Sequence, residues 1–302
     1  MLAKTIKDIA ALKIQGAENI ARASLKAINH VAINSKASSK NAFINELVRA
    51  SKALFNSRPT EPMMRNALRY VIQKAQDADN FNYKRVTLDR IKSLYGSVDK
   101  ARQLIISIGK RVLKKNYKVL THCHSSTVTG VLKAVKPEVI CTETRPLFQG
   151  RLTASELVNA GVKTTMILDS AVADYIRDVD LVLLGCDVIT PNSIINKVGS
   201  NAIGLLCEKY DIPLYICSTS FKLDPESTLG RGVKIEERSA KEVWNNPPRG
   251  LRILNPAFDL VPYDNITSFI NELGVFSPDS LFINLRDKYH WMFKDIKSII
   301  YK

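Results

Sequence analysis

Cys123 lies between two histidines in Thr121-His122-Cys123-His124-Ser125, and the run Lys118-Val119-Leu120 leads into it. A thiol delivered by a strand end among polar neighbours can serve as acid, base or nucleophile. It can equally be a small buried hydrophobe, the common fate of a free cysteine. A second titratable group closes another apolar run, in Leu184-Gly185-Cys186-Asp187. A thiol of ordinary pKa about 8.5 and a carboxyl of about 4 need shifts to exchange protons at neutral pH, and burial or nearby cations supply them. Arg58, Arg145, Gln149, Lys197 and Lys222 are side chains suited to a phosphate-bearing ligand. The chain has neither GxxxxGK[ST] nor GxGxxG, so nucleotide hydrolysis and dinucleotide redox chemistry have no support.

The elements that must carry these residues follow from periodicity. After residue 117, candidate strands at 118–121, 138–142, 164–168, 180–184 and 214–217 alternate with helical stretches at 126–135, 154–160, 171–177 and 201–210. Continuous apolar strands separated by helices predict a mostly parallel sheet covered on both faces. All such strand ends lie on one edge, where open α/β sheets bind ligands. Polar residues follow each of them: Cys123; Thr142-Glu143-Thr144-Arg145-Pro146 with Gln149-Gly150; Asp169-Ser170; Asp187; and Ser218-Thr219 leading to Lys222. Each has a plainer reading too. Asp169-Ser170 and Asp187 can be helix N-caps, and Arg145 can pair with Glu143. The region 225–252, rich in Gly, Pro and charge, reads as surface loop, and 264–302 returns to helical and strand-like pieces.

Residues 1–116 read differently. Apolar and small residues recur at helical spacing in Ile20, Ser24, Ala27, Ile28 and Val31; in Phe43, Leu47, Ala50 and Leu54; in Met64, Leu68, Val71 and Ile72; and in Leu104, Ile108 and Val112. The prolines of Asn56-Ser57-Arg58-Pro59-Thr60-Glu61-Pro62 break the pattern before a helix that starts near Pro62. The division predicted is a helical domain over 1–116 and an α/β domain over 117–302. The net charge of +15 is carried entirely by the first part. Such an excess suits anionic partners, or is simply a lysine-rich solvated surface. No Arg-rich run or aromatic-interleaved basic stripe favours nucleic acid, and no apolar run approaches a membrane span. The N-terminal residues lack the pattern of a signal peptide. The five cysteines form no CxxC pair, which argues against a disulfide framework or zinc site and for a reducing cytoplasm.

In their order and spacing, several of these motifs resemble one superfamily. It holds the regulatory subunits of translation initiation factor 2B and two kinds of sugar-phosphate isomerase. The resemblance rests on Ile14-Gln15-Gly16-Ala17, Ser57-Arg58-Pro59-Thr60, the Cys123 and Asp187 motifs, Thr142 to Pro146 and Gln149-Gly150. It extends to Ile195-Asn196-Lys197-Val198-Gly199 and Asn255-Pro256-Ala257-Phe258-Asp259. It implies an N-terminal all-helical domain followed by a Rossmann-like, mostly parallel sheet. The isomerases keep both the cysteine and the aspartate, and this chain has both. Gln15 and His124-Ser125 are similar to the archaeal ribose-1,5-bisphosphate isomerases rather than to methylthioribose-1-phosphate isomerase. One departure is Thr190-Pro191-Asn192-Ser193, a loop one residue shorter than the pattern.

The resemblance implies an aldose–ketose isomerase that makes ribulose 1,5-bisphosphate in nucleotide salvage. Cys123 would be the proton acceptor and Asp187 the donor, and the chemistry tolerates the reverse. Gln15, Gly16, Ala17 and Arg58 would hold one phosphate. Ser125, Ser126 and Thr127, at a helix start, would hold the other. Asn196, Lys197 and Lys222, with Arg145 and Gln149, would complete the shell. No cofactor or metal is called for. The partners implied are a phosphorylated pentose and further copies of the chain, as a dimer or hexamer. The alternative readings are a non-enzymatic regulatory subunit that binds an initiation factor, and methylthioribose-1-phosphate isomerase.

Overall fold

The computed structural model describes residues 1–293, which divide into two compact units. The helical unit comprises Met1–Lys100, Phe221–Arg231 and residues 284–293; the α/β unit comprises Ala101–Ser220 and Gly232–Ile283. The change in secondary structure falls near residue 116, but the units part inside one long helix.

In the helical unit, α1 (Leu2–Ala10), α2 (Ala17–Asn34), α3 (Lys40–Ser57), α4 (Pro62–Asp77) and the first part of α5 (Tyr83–Val112) surround one apolar core. The stripes read from sequence supply it: Ile20, Phe43, Leu47, Leu54, Met64, Leu68, Val71 and Ile72 are all buried. Ser39 caps α3 through its side chain, and α4 opens on Pro62, where the missing N–H costs nothing.

The segment 221–231 is fastened to α4. Asn66 donates to the carbonyls of Phe221 (2.9 Å) and Leu223 (2.7 Å). Arg69, 3% exposed, meets Glu226 at 2.7 Å, and Arg65 meets Asp224 at 3.3 Å. The surface-loop expectation for 225–252 therefore fails at its start, because Pro225 and Glu226 are buried. Charge in sequence reads as exposure, but these carboxylates are paired with the buried Arg69 and the partly buried Arg65.

The α/β unit holds β1 (Lys118–Thr121), α6 (Ser126–Val135), β2 (Glu138–Thr142), α7 (Gln149–Asn159), β3 (Thr164–Ile167) and α8 (Val172–Tyr175). It continues with β4 (Leu181–Leu184), β5 (Val188–Ile189), β6 (Ser193–Lys197), α9 (Ser200–Tyr210), β7 (Leu214–Cys217), α10 (Ala240–Val243), β8 (Phe258–Pro262), β9 (Ser268–Asn271) and β10 (Gly274–Phe276). A last helix, α11 (Pro278–Lys288), follows. The main sheet has the order β10-β9-β7-β4-β1-β2-β3 and is parallel except for β10. All five expected strands are present. The apolar residues of β1, β2, β4 and α6 fill a core with Ile105 and Ile108 of α5. Leu104 was expected on that face but is 39% exposed, and Ile105 takes the buried position.

The chain lays β2 and β3 on one side of β1, then returns to lay β4 and β7 on the other. Strand order thus reverses between β1 and β4, which pair directly through Val119–Leu181 and Leu120–Val182. Beyond the end of β4, a three-stranded antiparallel sheet, β5-β6-β8, forms a second layer that the sequence did not announce.

Candidate active site

The crevice beyond the carboxyl ends of β1 and β4 is the switch point of the sheet. Cys123 follows β1 and Asp187 follows β4, so the thiol and the carboxylate stand at the ends of neighbouring strands. Gly185 makes this approach possible. A Cβ there would lie 2.9 Å from Cβ and 3.0 Å from Oγ of Ser125. Asp187 is not a helix N-cap, since the strand β5 follows it. It is half-buried, and its N–H donates to the Ile195 carbonyl (2.9 Å).

Cys123 departs from the core-cysteine reading. The other four cysteines are buried, whereas Cys123 is partly accessible and holds φ at +67°. A non-glycine residue takes that conformation only when its surroundings impose it. Here the Cys123 N–H donates to Thr144 Oγ1 (3.0 Å), and its carbonyl accepts from Thr153 Oγ1 (2.7 Å). Burial pushes the thiol up to about 11. Lys197 and the His124 backbone N–H pull it down, while Asp187 and Asp169 add to the rise. Cys123, Asp187 and Lys197 therefore share one electrostatic environment.

His122 links the two sides of this site. Its Nε2 lies 2.9 Å from the Val198 carbonyl, which only accepts, so Nε2 carries the proton. Nδ1 then accepts from Thr142 Oγ1 (2.6 Å), which in turn accepts from Thr144 Oγ1 (3.2 Å). Burial lowers the His122 pKa and favours the neutral ring that this pattern requires. The turn after β6 is fixed by further bonds. Ser200 Oγ donates to the Lys197 carbonyl (2.7 Å) and accepts from Asn196 Nδ2 (2.8 Å). Asp259 accepts from the backbone N–H of Gly199 (2.8 Å) and of Asn201 (3.2 Å). The short loop at Thr190–Ser193 closes the β5–β6 hairpin through the Thr190 hydroxyl, and Lys197, at the end of β6, carries its ammonium over the Phe258 ring, 5.3 Å from its centre.

The other expected residues of this unit fall into different situations. Ser125 is the N-cap of α6 and accepts from the Val128 N–H; Ser126 is exposed and Thr127 buried in the first turn. Arg145 does not pair with Glu143, which is taken by Arg151 at 2.5 Å. It reaches the Val243 carbonyl (3.0 Å) and stacks on Phe148. Gln149 opens α7, and its Oε1 is buried with no protein hydrogen-bond partner. Asp169 is not an N-cap either. Its carboxylate accepts the N–H groups of Thr144 and Arg145, both at 2.7 Å, and so shapes the loop after β2. Gly150 lets α7 meet the end of β2, because a Cβ there would sit 1.8 Å from the Thr142 carbonyl oxygen. Sequence reasoning missed His122, Thr144, Thr153 and Asp259 as parts of the site. The Thr142-Glu143-Thr144 pair was the available signal for the relay.

Gln15, Gly16, Ala17, Arg58 and Lys222 lie in the helical unit. Gly16, at φ +83°, is the N-cap of α2, and Gln15 just before it is exposed. Arg58 is the C-cap of α3, with its guanidinium 3.6 Å from Glu61. Ala17 shares a small apolar cluster with Met63, and Phe221, the neighbour of Lys222, packs on it. The starts of α2 and α4 and the Lys222 segment are thereby gathered in one region.

Among the described residues, no helix is long and apolar enough to cross a membrane. Comparison with known proteins gives a consistent answer. The family described as the initiation factor 2 subunit family matches residues 13–278. The ribose 1,5-bisphosphate isomerase of Archaeoglobus fulgidus is 35% identical, with 93% of this chain and 91% of that protein covered. The ribose 1,5-bisphosphate isomerase of Pyrococcus furiosus is 34% identical, over 97% of this chain and 94% of its own. In fold, the crystal structure of Pyrococcus horikoshii OT3 translation initiation factor eIF-2B superposes with a TM-score of 0.80 at 22% identity, covering 92% of this chain and 98% of that one.

Proposed function

We infer, from a chain that belongs to the initiation factor 2 subunit family and carries a thiol and a carboxylate at its sheet's switch point, that the protein is an aldose–ketose isomerase. The substrate is ribose 1,5-bisphosphate and the product ribulose 1,5-bisphosphate, the reaction for which its archaeal relatives are named. The observation that carries this reading is the placement of Cys123 and Asp187 at the ends of directly paired strands.

The chemistry requires such a pair. The C1 phosphate leaves no free hemiacetal hydroxyl, so the ring does not open unaided. One group must protonate the ring oxygen as the C1–O bond breaks. A second must take the proton from C2, which leaves an enol across C1 and C2. The first group then recovers a proton from the C2 hydroxyl, the second returns its proton to C1, and both groups end as they began. We assign Asp187 to the ring oxygen and Cys123 to the carbon-to-carbon transfer. Burial keeps the resting thiol protonated, so Cys123 must ionise before it accepts, and Lys197 is the cation that assists.

The phosphates call for donors on rigid backbone. The exposed start of α6 offers N–H groups and the Ser126 hydroxyl, and Lys197 offers charge. In the helical unit, the start of α2 at Gln15, Gly16 and Ala17, with Arg58 and Lys222, offers a second set of donors. Arg145, Gln149 and Asn196 complete the assignment. Gln149 Oε1 suits a sugar hydroxyl, and Asn196 acts through Ser200.

NMR of the protein with ribose 1,5-bisphosphate, and separately with methylthioribose 1-phosphate, tests the reading. Ribulose 1,5-bisphosphate should form, and Cys123→Ser and Asp187→Asn should each lose at least about 100-fold in turnover with unchanged melting. Turnover of neither sugar phosphate would make the protein a binding subunit. Full turnover by either variant would remove the assigned pair.

A further inference from the structure

We propose that His122 is a positioning residue that holds the Lys197 turn against the Cys123 loop. Its imidazole is 4% exposed, too buried to touch a ligand, yet both ring nitrogens are committed to opposite sides of the site. On one side, the Thr142 and Thr144 hydroxyls carry the connection to the Cys123 N–H. On the other, Nε2–H holds the Val198 carbonyl, one residue beyond Lys197. The ring also packs on the turn itself, since a Cβ added at Gly199 would lie 3.2 Å from two ring atoms.

The donors and acceptors along this path are directional. Val198 can only accept, so each hydroxyl of the chain has one remaining way to point. A buried side chain with both polar atoms used and low-dielectric surroundings fixes geometry more firmly than an exposed one. The charged groups facing the ring are Asp169, 3.9 Å from Nδ1, and Lys197. Those acting on the thiol are Lys197, Asp187 and Asp169. Asp169 is fixed by two backbone N–H groups, and Asp259 holds only the far end of the turn, at Gly199 and Asn201. His122 is thus the side chain that ties the residue bearing the ammonium to the residue bearing the sulphur. The consequence for turnover rests on the isomerase reading; the coupling itself does not.

Two amide substitutions separate the ring's two bonds. In His122→Gln the side-chain amide reaches the Nε2 position and can still donate to Val198. In His122→Asn it reaches only the Nδ1 position and leaves that carbonyl unbound. The readout is alkylation of Cys123 by iodoacetamide against pH, located by mass spectrometry, on protein shown to be folded by its melting curve. His122→Gln should alkylate like the unsubstituted protein. His122→Asn should be about tenfold slower below the thiol midpoint, the size of one unit of lost assistance from Lys197. Lys197→Met should slow alkylation similarly, and adding His122→Asn to it should change nothing further. Gln and Asn variants that alkylate alike, at either rate, would overturn the proposal, as would additive slowing in the double variant. A slowed His122→Asn thiol with unimpaired isomerisation would count against the isomerase reading and leave the coupling standing.

Discussion

Raising the pH tests whether Cys123 is the buried thiol that must ionise before the transfer. The Cys123 thiol is held at about 11, chiefly by burial. If the thiolate takes the C2 proton, only the ionised fraction is competent, and that fraction grows about tenfold per pH unit below the midpoint. The rate constant for iodoacetamide alkylation of Cys123, which reads that fraction alone, should therefore climb about 100-fold between pH ~8 and ~10, while kcat/KM, which also needs Asp187 protonated, climbs less. Lys197→Met removes the cation that favours the thiolate, so its profile should keep the same slope and move to higher pH. Asp187→Asn acts oppositely on the thiol, because the Asp187 charge raises its pKa. This variant should lose turnover while Cys123 alkylates faster than before, which separates lost chemistry from lost structure. The assay is alkylation located by mass spectrometry, beside NMR-followed conversion, at constant ionic strength and with folding checked at each pH. An alkylation rate that is flat, or that falls over this range, would refute the raised thiol and with it the assignment of Cys123 as the group that ionises before it accepts.

Other substitutions test the scaffold. Gly150→Ala should destabilise by about 3 kcal/mol or more, read from urea unfolding, because its Cβ would strike the Thr142 carbonyl oxygen at 1.8 Å. Arg69→Met should cost about 1.5–3 kcal/mol by the same measurement, since it removes the 2.7 Å guanidinium partner of the buried Glu226 carboxylate, which keeps Arg65 at 3.5 Å; adding Glu226→Gln should recover part of that loss. Burial raises the thiols of Cys207 and Cys217 from 9.0 to about 12. Groups whose native pKa is raised stabilise fully below their unfolded value and lose that contribution as pH climbs through the native one. The melting temperature should thus fall between pH 9 and about 12, and less steeply in Cys217→Ala.

What could be read in advance followed from burial on both faces. β1, β2, β4 and β7 are short apolar runs because helices cover the sheet on either side, and such runs stand out in a sequence, whereas the edge strand β3 leaves Thr165 and Met166 exposed. The layer β5-β6-β8 did not stand out. Its strands are two to five residues long and include Asn196, Lys197, Asp259 and Pro262, residues that do not advertise a strand. Helix α7 begins at Gln149, five residues before its expected start, because Gly150 serves close packing rather than helix breaking. Cys123 and Asp187 were legible as types at strand ends. Their adjacency was not, because it depends on the order β4-β1, which no local pattern encodes. The His122 relay was hidden for the same reason: its partners lie 20 and 76 residues away.

The segment 221–231 bears on whether the protein can be taken apart. The chain leaves the α/β unit after Ser220, joins the helical unit as far as Arg231, and then returns. A fragment ending at residue 100 would contain Arg65 and Arg69 but neither Asp224 nor Glu226, the carboxylates that neutralise them. The face of α4 that carries Arg65, Asn66 and Arg69 would lose its carboxylate and carbonyl partners together with the segment that covers it. The helical unit is therefore not a module that could be lost, gained or exchanged by cutting a gene at one place. Its folding waits for a stretch of chain made more than a hundred residues later, so on the ribosome it can close only after much of the α/β unit has been synthesised.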